Sequence, residues 1–122
     1  MKRYVDGFVL PVAKNKLAAY KKMAVKGGKI WMKYGALQYF ECVGEDLKSA
    51  SKWGSMPFPK MAKAKPNETV VFSFIVYKSK AHRDKVNAMV MKDPSMDSAE
   101  PMPFEMKRMA VGGFETIVNL WR

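Results

Sequence analysis

The chain has 122 residues, 48% of them hydrophobic and 12% aromatic, and a net charge of +11. That length fits one domain able to bury a core without staples, and the composition excludes a disordered chain. A single cysteine, Cys42, excludes an intramolecular disulfide and suits a reducing, cytoplasmic setting.

The first strand is expected from Tyr4 to about Val12, with Tyr4, Asp6, Phe8, Leu10 and Val12 on one side and Val5, Gly7, Val9 and Pro11 on the other. Asp6 and Pro11 interrupt its apolar run, which argues against a signal peptide, and no stretch approaches the length of a membrane span. A helix is predicted from about Asn15 to Tyr34. At ~100° per residue, Leu17, Tyr20, Met23, Ala24, Gly27, Ile30 and Trp31 share one face, where Gly27 allows close approach to a sheet. Lys14, Lys21, Lys22, Lys26, Lys29 and Lys33 form a ridge on the other. Gly35 stands where a left-handed cap ends the helix.

A second strand follows from Ala36 to about Val43, then a long connection with a short element near Phe58 to Ala64, for which Trp53 and Phe58 are the expected anchors. TVVFSFIVYK, Thr69 to Lys78, is the clearest strand. Ser79 caps a second long helix, Lys80 to Lys92, whose inner side carries His82, Val86, Met89 and Val90; Asp93-Pro94 stops it. The last strand is expected from about Arg108 to Leu120. The order strand-helix-strand, twice, predicts an α+β ferredoxin-like βαββαβ sandwich over residues 1–122: a four-stranded antiparallel sheet with two helices on one face.

The third strand is apolar on both sides: Val70, Phe72, Phe74 and Val76 alternate with Val71, Ser73, Ile75 and Tyr77. A sheet covered by helices on one face should be polar on the other. An apolar second face calls for a cover, and another copy of the same sheet is the simplest one, so a sheet-to-sheet homodimer is expected.

YVDGF at 4–8, GALQYFEC at 35–42, ETVVFSFIVYKSKAHRD at 68–84, DPSM at 93–96 and MPFEMKRMAVGGFE at 102–115 together resemble the YbaA-like family of small bacterial proteins of unknown function. The resemblance covers nearly the whole chain and implies a protomer of the dimeric α/β-barrel superfamily. That superfamily includes small monooxygenases, haem-degrading enzymes and isomerases. It supplies no catalytic residues to carry over.

The residues themselves name no reaction. There is no phosphate-cradling glycine loop, no nucleophile elbow and no zinc-spaced cysteine set, so neither a cofactor nor a metal is called for. His82, the only histidine, reads as a general base or haem ligand in a pocket between the second helix and the sheet, or as a hydrogen-bonded residue at the core edge, the last being the simplest. Asp6 interrupts an apolar row in a central strand. It must be paired, for instance with Arg108 on the next strand, or hold a raised pKa, as catalytic carboxylates do. Cys42 is expected to be a buried, inert thiol.

Gly112-Gly113 sits in the last strand opposite Gly7. The glycines suit a bulge and strong twist, and they leave room beside Asp6 for a ligand. Two partner classes follow. A small hydrophobic molecule would occupy a pocket between helices and sheet lined by Tyr4, Asp6, Tyr20, Trp31, His82 and Phe114, with Asp6 and His82 the catalytic candidates. The alternative partner is RNA, suggested by the charge and by a strand order shared with the RNA-recognition module, though the third strand lacks that module's basic-glycine-aromatic start. A regulatory or structural dimer without catalysis is the third reading.

Overall fold

A computed structural model describes residues 2–97 and 100–122. Seven elements build it: β1 (Tyr4–Ala13), α1 (Leu17–Lys33), β2 (Gln38–Val43), a one-turn helix α2 (Phe58–Met61), β3 (Glu68–Tyr77), α3 (Lys80–Lys92) and β4 (Ala110–Glu115), with short 3-10 turns between them. The strands form one antiparallel sheet in the order β2-β3-β1-β4. With α1 and α3 on one face, this is the ferredoxin-like α+β arrangement. No helix among the described residues is long and apolar enough to cross a membrane.

Two clusters fill the space under the helices. Ile30, Ala36, Ile75, Tyr77, Val86 and Val90 pack at the α3 end. Leu10, Val12, Tyr20, Ala24 and Val71 pack at the other. Burying these side chains removes apolar surface from water at ~25 cal/mol per Å2, which is what fixes the helices to the sheet. The glycine that lets α1 approach is Gly28, not the expected Gly27: a Cβ there would stand 2.8 Å from the Tyr39 ring, whereas one on Gly27 meets ordinary contact distances. Gly35 ends α1 at φ +112, a backbone conformation only glycine adopts without strain. Ser79 caps α3 by accepting from the His82 N–H at 3.1 Å.

Several expectations are corrected. Regular pairing of the last strand stops at Glu115 rather than Leu120, because β1, its neighbour, starts at Tyr4 and supplies no further ladder. The register Asp6↔Gly113 and Gly7↔Gly112 is unbroken, so there is no bulge. The room left by the glycines is filled by aromatic rings. A Cβ on Gly113 would collide with the Tyr4 hydroxyl and ring on the helix side, and one on Gly7 or Gly112 would stand 3.3 to 3.4 Å from the Phe114 ring on the other side. The Tyr4 ring takes the space that Gly113 opens beside Asp6.

The second sheet face is as apolar as its sequence. Phe40 stacks on Phe74 at 5.1 Å, Phe74 lies 5.8 Å from Phe72, and Phe72 meets Phe58 of α2 at 6.4 Å. The connection before β3 thus folds over one end of this face through Phe58. Trp53 does not serve as an anchor: it is 77% exposed, since its 3-10 turn packs on neither face. Cys42 is exposed rather than buried, because even positions of β2 point to this uncovered face.

Candidate functional site

The six sequence-selected site residues do not converge. Phe114 lies on the open face of the sheet, and Tyr20 lies at the far end of the helix layer from Asp6. Tyr4, Asp6 and Trp31 do meet, in a polar network beneath α3. Asp6, only 5% exposed, receives a hydrogen bond from Arg83 Nη1 at 2.9 Å. The expected partner Arg108 is elsewhere: it sits at the opposite end of β1, where both its Nη atoms bond the Glu68 carboxylate at 2.7 and 2.8 Å.

Arg83 is fully engaged. Its Nε donates to Asp84 Oδ1 at 2.8 Å, and its guanidinium carbon stands 4.9 Å from the centre of the Tyr4 ring, in cation–π range. Asn87 continues the network. Its Oδ1 accepts from Trp31 Nε1 at 3.0 Å and from the Tyr77 hydroxyl at 3.2 Å, and its side chain also bonds Asp6. Burial raises the Asp6 pKa above the ordinary carboxylate value, and the positive charge of Arg83 opposes that rise. Arg83 thus joins the buried carboxylate of β1 to helix α3. Arg83 and Asn87 are four residues apart on α3, so both reach inward from one helix face. That spacing, beside an aspartate in an apolar strand, was the signal in the sequence.

His82 faces away from this network. Its Nδ1 accepts the Lys78 N–H at 2.9 Å, which leaves the ring proton on Nε2, beside Gly35. Its ring packs edge-on to Tyr77 at 6.0 Å. Burial first, then the charges of Lys78 and Lys85, lower its pKa. The imidazole ties the C-terminus of α1 to the start of α3 and lines neither of the two volumes described below.

The open volume lies on the other flank. Between α1 and the edge strand β2 runs a groove of about 830 Å3, bounded by Leu17, Val25 and Met32 along the helix and by Tyr39 and Val43 along the strand. Lys21 and Lys29 stand at its mouth. Its one acidic group is Glu41, which accepts hydrogen bonds from the Tyr20 hydroxyl on Oε1 and the Tyr39 hydroxyl on Oε2, both at 2.7 Å. Burial, reinforced by the hydrogen bond and charge of Glu41, pushes both tyrosines well above their ordinary pKa, so they remain neutral donors. The carboxylate is held rigidly and keeps lone pairs for a ligand donor. Of this set the sequence reading named only Tyr20. Tyr39 and Glu41 are two apart on one strand and so share a face, but nothing in the sequence says that α1 overhangs it. A smaller volume, about 470 Å3, lies beside Lys63, Lys107 and Arg108. Among the described residues no three acidic, histidine or cysteine side chains cluster to hold a metal ion.

Fold and site therefore define a small α+β protein of ferredoxin-like topology with an apolar groove at its sheet edge. Solved structures share that fold: a dimeric ferredoxin-like protein from an uncultured marine organism (TM-score 0.59, 10% identity, 98% of this chain and 100% of that one), and a putative antibiotic biosynthesis monooxygenase from Nitrosomonas europaea (TM-score 0.51, 14% identity, 94% and 90%). At such identities the likeness is one of fold. In sequence the chain matches the family model described as "Protein of unknown function (DUF1428)" over residues 3–106. It is also 43% identical over 118 residues to the uncharacterized protein YbaA of Escherichia coli (strain K12), covering 96% of this chain and 98% of that relative. YbaA of Shigella flexneri matches to the same extent. The chain belongs to this YbaA-like family.

Proposed function

We propose that this is a cytoplasmic protein that works as a homodimer packed through its open sheet faces, each protomer binding a small hydrophobic molecule between α1 and β2. The groove carries the reading: it is apolar, large enough for a small ligand, and provided with one oriented carboxylate to select for a hydrogen-bond donor. The open face supports the dimer. Its residues, the alternate positions from Val5 to Pro11, Gln38 to Cys42, Val70 to Val76 and Ala110 to Phe114, include no charge, and a solved structure of the same fold is described as a dimeric ferredoxin-like protein.

The same absence of charge disfavours RNA on that face, since bases stacked there would find no cation for their phosphates. RNA binding would have to use the lysine ridge of α1 instead. A panel of small apolar molecules should raise the melting temperature of the native protein, and Val25→Trp, which fills the groove from an exposed helix position, should abolish the shift. No shift with any compound, or an equal shift in the variant, would remove the ligand and leave a regulatory or structural dimer. Monomeric scattering together with salt-sensitive RNA binding would replace the proposal altogether.

A further inference from the structure

The groove between α1 and β2 has a floor and a rim of different chemistry. Ala24 and Gly28, four residues apart on the helix and both buried, form the floor on that side, and their small size keeps it open. The next row of the helix, Lys21, Val25 and Lys29, has the same spacing and forms the rim. Val25 is 48% exposed there, between the two lysines. Their Cα atoms lie about 12 Å apart along the axis, and flexible four-carbon stems let both ammonium groups turn to one anion above Val25.

Three charges line the groove: Lys21, Lys29 and Glu41. Among the described residues neither lysine takes part in an ion pair, and Glu41 is bonded only by the neutral hydroxyls of Tyr20 and Tyr39. Two cations against one carboxylate leave the lining with a positive excess, which a monoanion neutralises. The anion belongs at the rim, since Glu41 offers acceptors only and repels it from the interior. What Glu41 can take is a donor. An ammonium group in that place would have to pass both lysines and would add to the excess, whereas a hydroxyl adds no charge.

We propose that the groove takes an apolar carboxylic acid with a hydroxyl at its far end, the hydroxyl donating to Glu41 and the carboxylate lying between Lys21 and Lys29. The inference rests on the reading of this groove as a ligand site and names the class of ligand.

Binding to the native protein is measured by calorimetry with two such acids of different shape: ω-hydroxydecanoate, and the hydroxynaphthoate whose hydroxyl and carboxylate stand at opposite ends of the rings. Each is compared with the acid lacking the hydroxyl, with its own methyl ester and with the amine that replaces the carboxylate. Loss of the hydroxyl is expected to weaken binding roughly tenfold, the share of a hydrogen bond to a charged group, and esterification roughly fivefold. Glu41→Leu should abolish the first difference, and Lys21→Gln with Lys29→Gln the second. Each should leave the other difference in place, which a collapsed groove could not do. Lys22→Gln with Lys26→Gln removes as many positive charges from α1 outside the groove and should change neither. An acid bound no better than its ester or its hydroxyl-free form, an amine bound more tightly, or an equal loss in the outer pair overturns the inference and leaves a groove for uncharged apolar molecules. If neither these compounds nor the apolar panel binds, both readings fall.

Discussion

The two faces of the sheet obey different rules. Beneath α3, on the helix face, polar groups are matched within the chain: Asp6 by Arg83, and Asn87 by Trp31 and Tyr77. On the open face the aromatic ladder Phe40–Phe74–Phe72 has helix α2 at one end only, and Phe114, 61% exposed, lies flat over two glycines. Under α3 the helix face is finished by the chain that carries it. The other is shaped and left apolar, the pattern of a face that a partner covers.

The sharpest way to break the first face is Arg83→Ala. It leaves the Asp6 carboxylate buried without its cation and should cost about 3 kcal/mol of protomer stability in urea unfolding, with the dimer constant unchanged. The open face should respond in the opposite sense. Phe72→Asp, on central strand β3, is expected to weaken dimer association about 100-fold, or ~2.7 kcal/mol, by analytical ultracentrifugation. It should lower the unfolding free energy of the dilute chain by only about 1 kcal/mol. If both variants lowered stability alone, the division between the faces would be lost.

Smaller effects sharpen it. Hydrogen bonds from Arg108 hold the Glu68 carboxyl at a pKa of about 2, below its ordinary 4.5. A depressed carboxylate pKa means the folded chain binds fewer protons, so this contribution is present above about pH 4.5 and is lost as pH falls towards 2. Glu68→Gln should therefore be less stable than the native chain near neutrality, the gap closing as urea titrations are repeated down to that pH. Trp53→Ala, at an exposed turn, should stay within about 0.5 kcal/mol of native in the same assay.

Alternation and caps are local properties, and the sequence carried them without help. β3 was legible from TVVFSFIVYK, α3 from Ser79 to Asp93-Pro94, and the uncovered face from the apolarity of Phe72 and Phe74. What lay beyond reach was which distant side chains meet. Asp6 could be seen to need a partner, yet choosing Arg83 over Arg108 depends on where α3 crosses β1. The glycines could be seen to leave space, yet only the packed sheet shows Tyr4 and Phe114 taking it.

The groove is the extreme case. Tyr20, Tyr39 and Glu41 are joined by no periodicity, and they become a site only when α1 settles on Gly28 beside an edge strand. The sequence by itself determined the order of strands and helices and the apolarity of the second sheet face, because period and composition follow from neighbours along the chain. The site was decided by tertiary structure, because it is made where elements cross, and crossing is fixed by packing that no single segment contains.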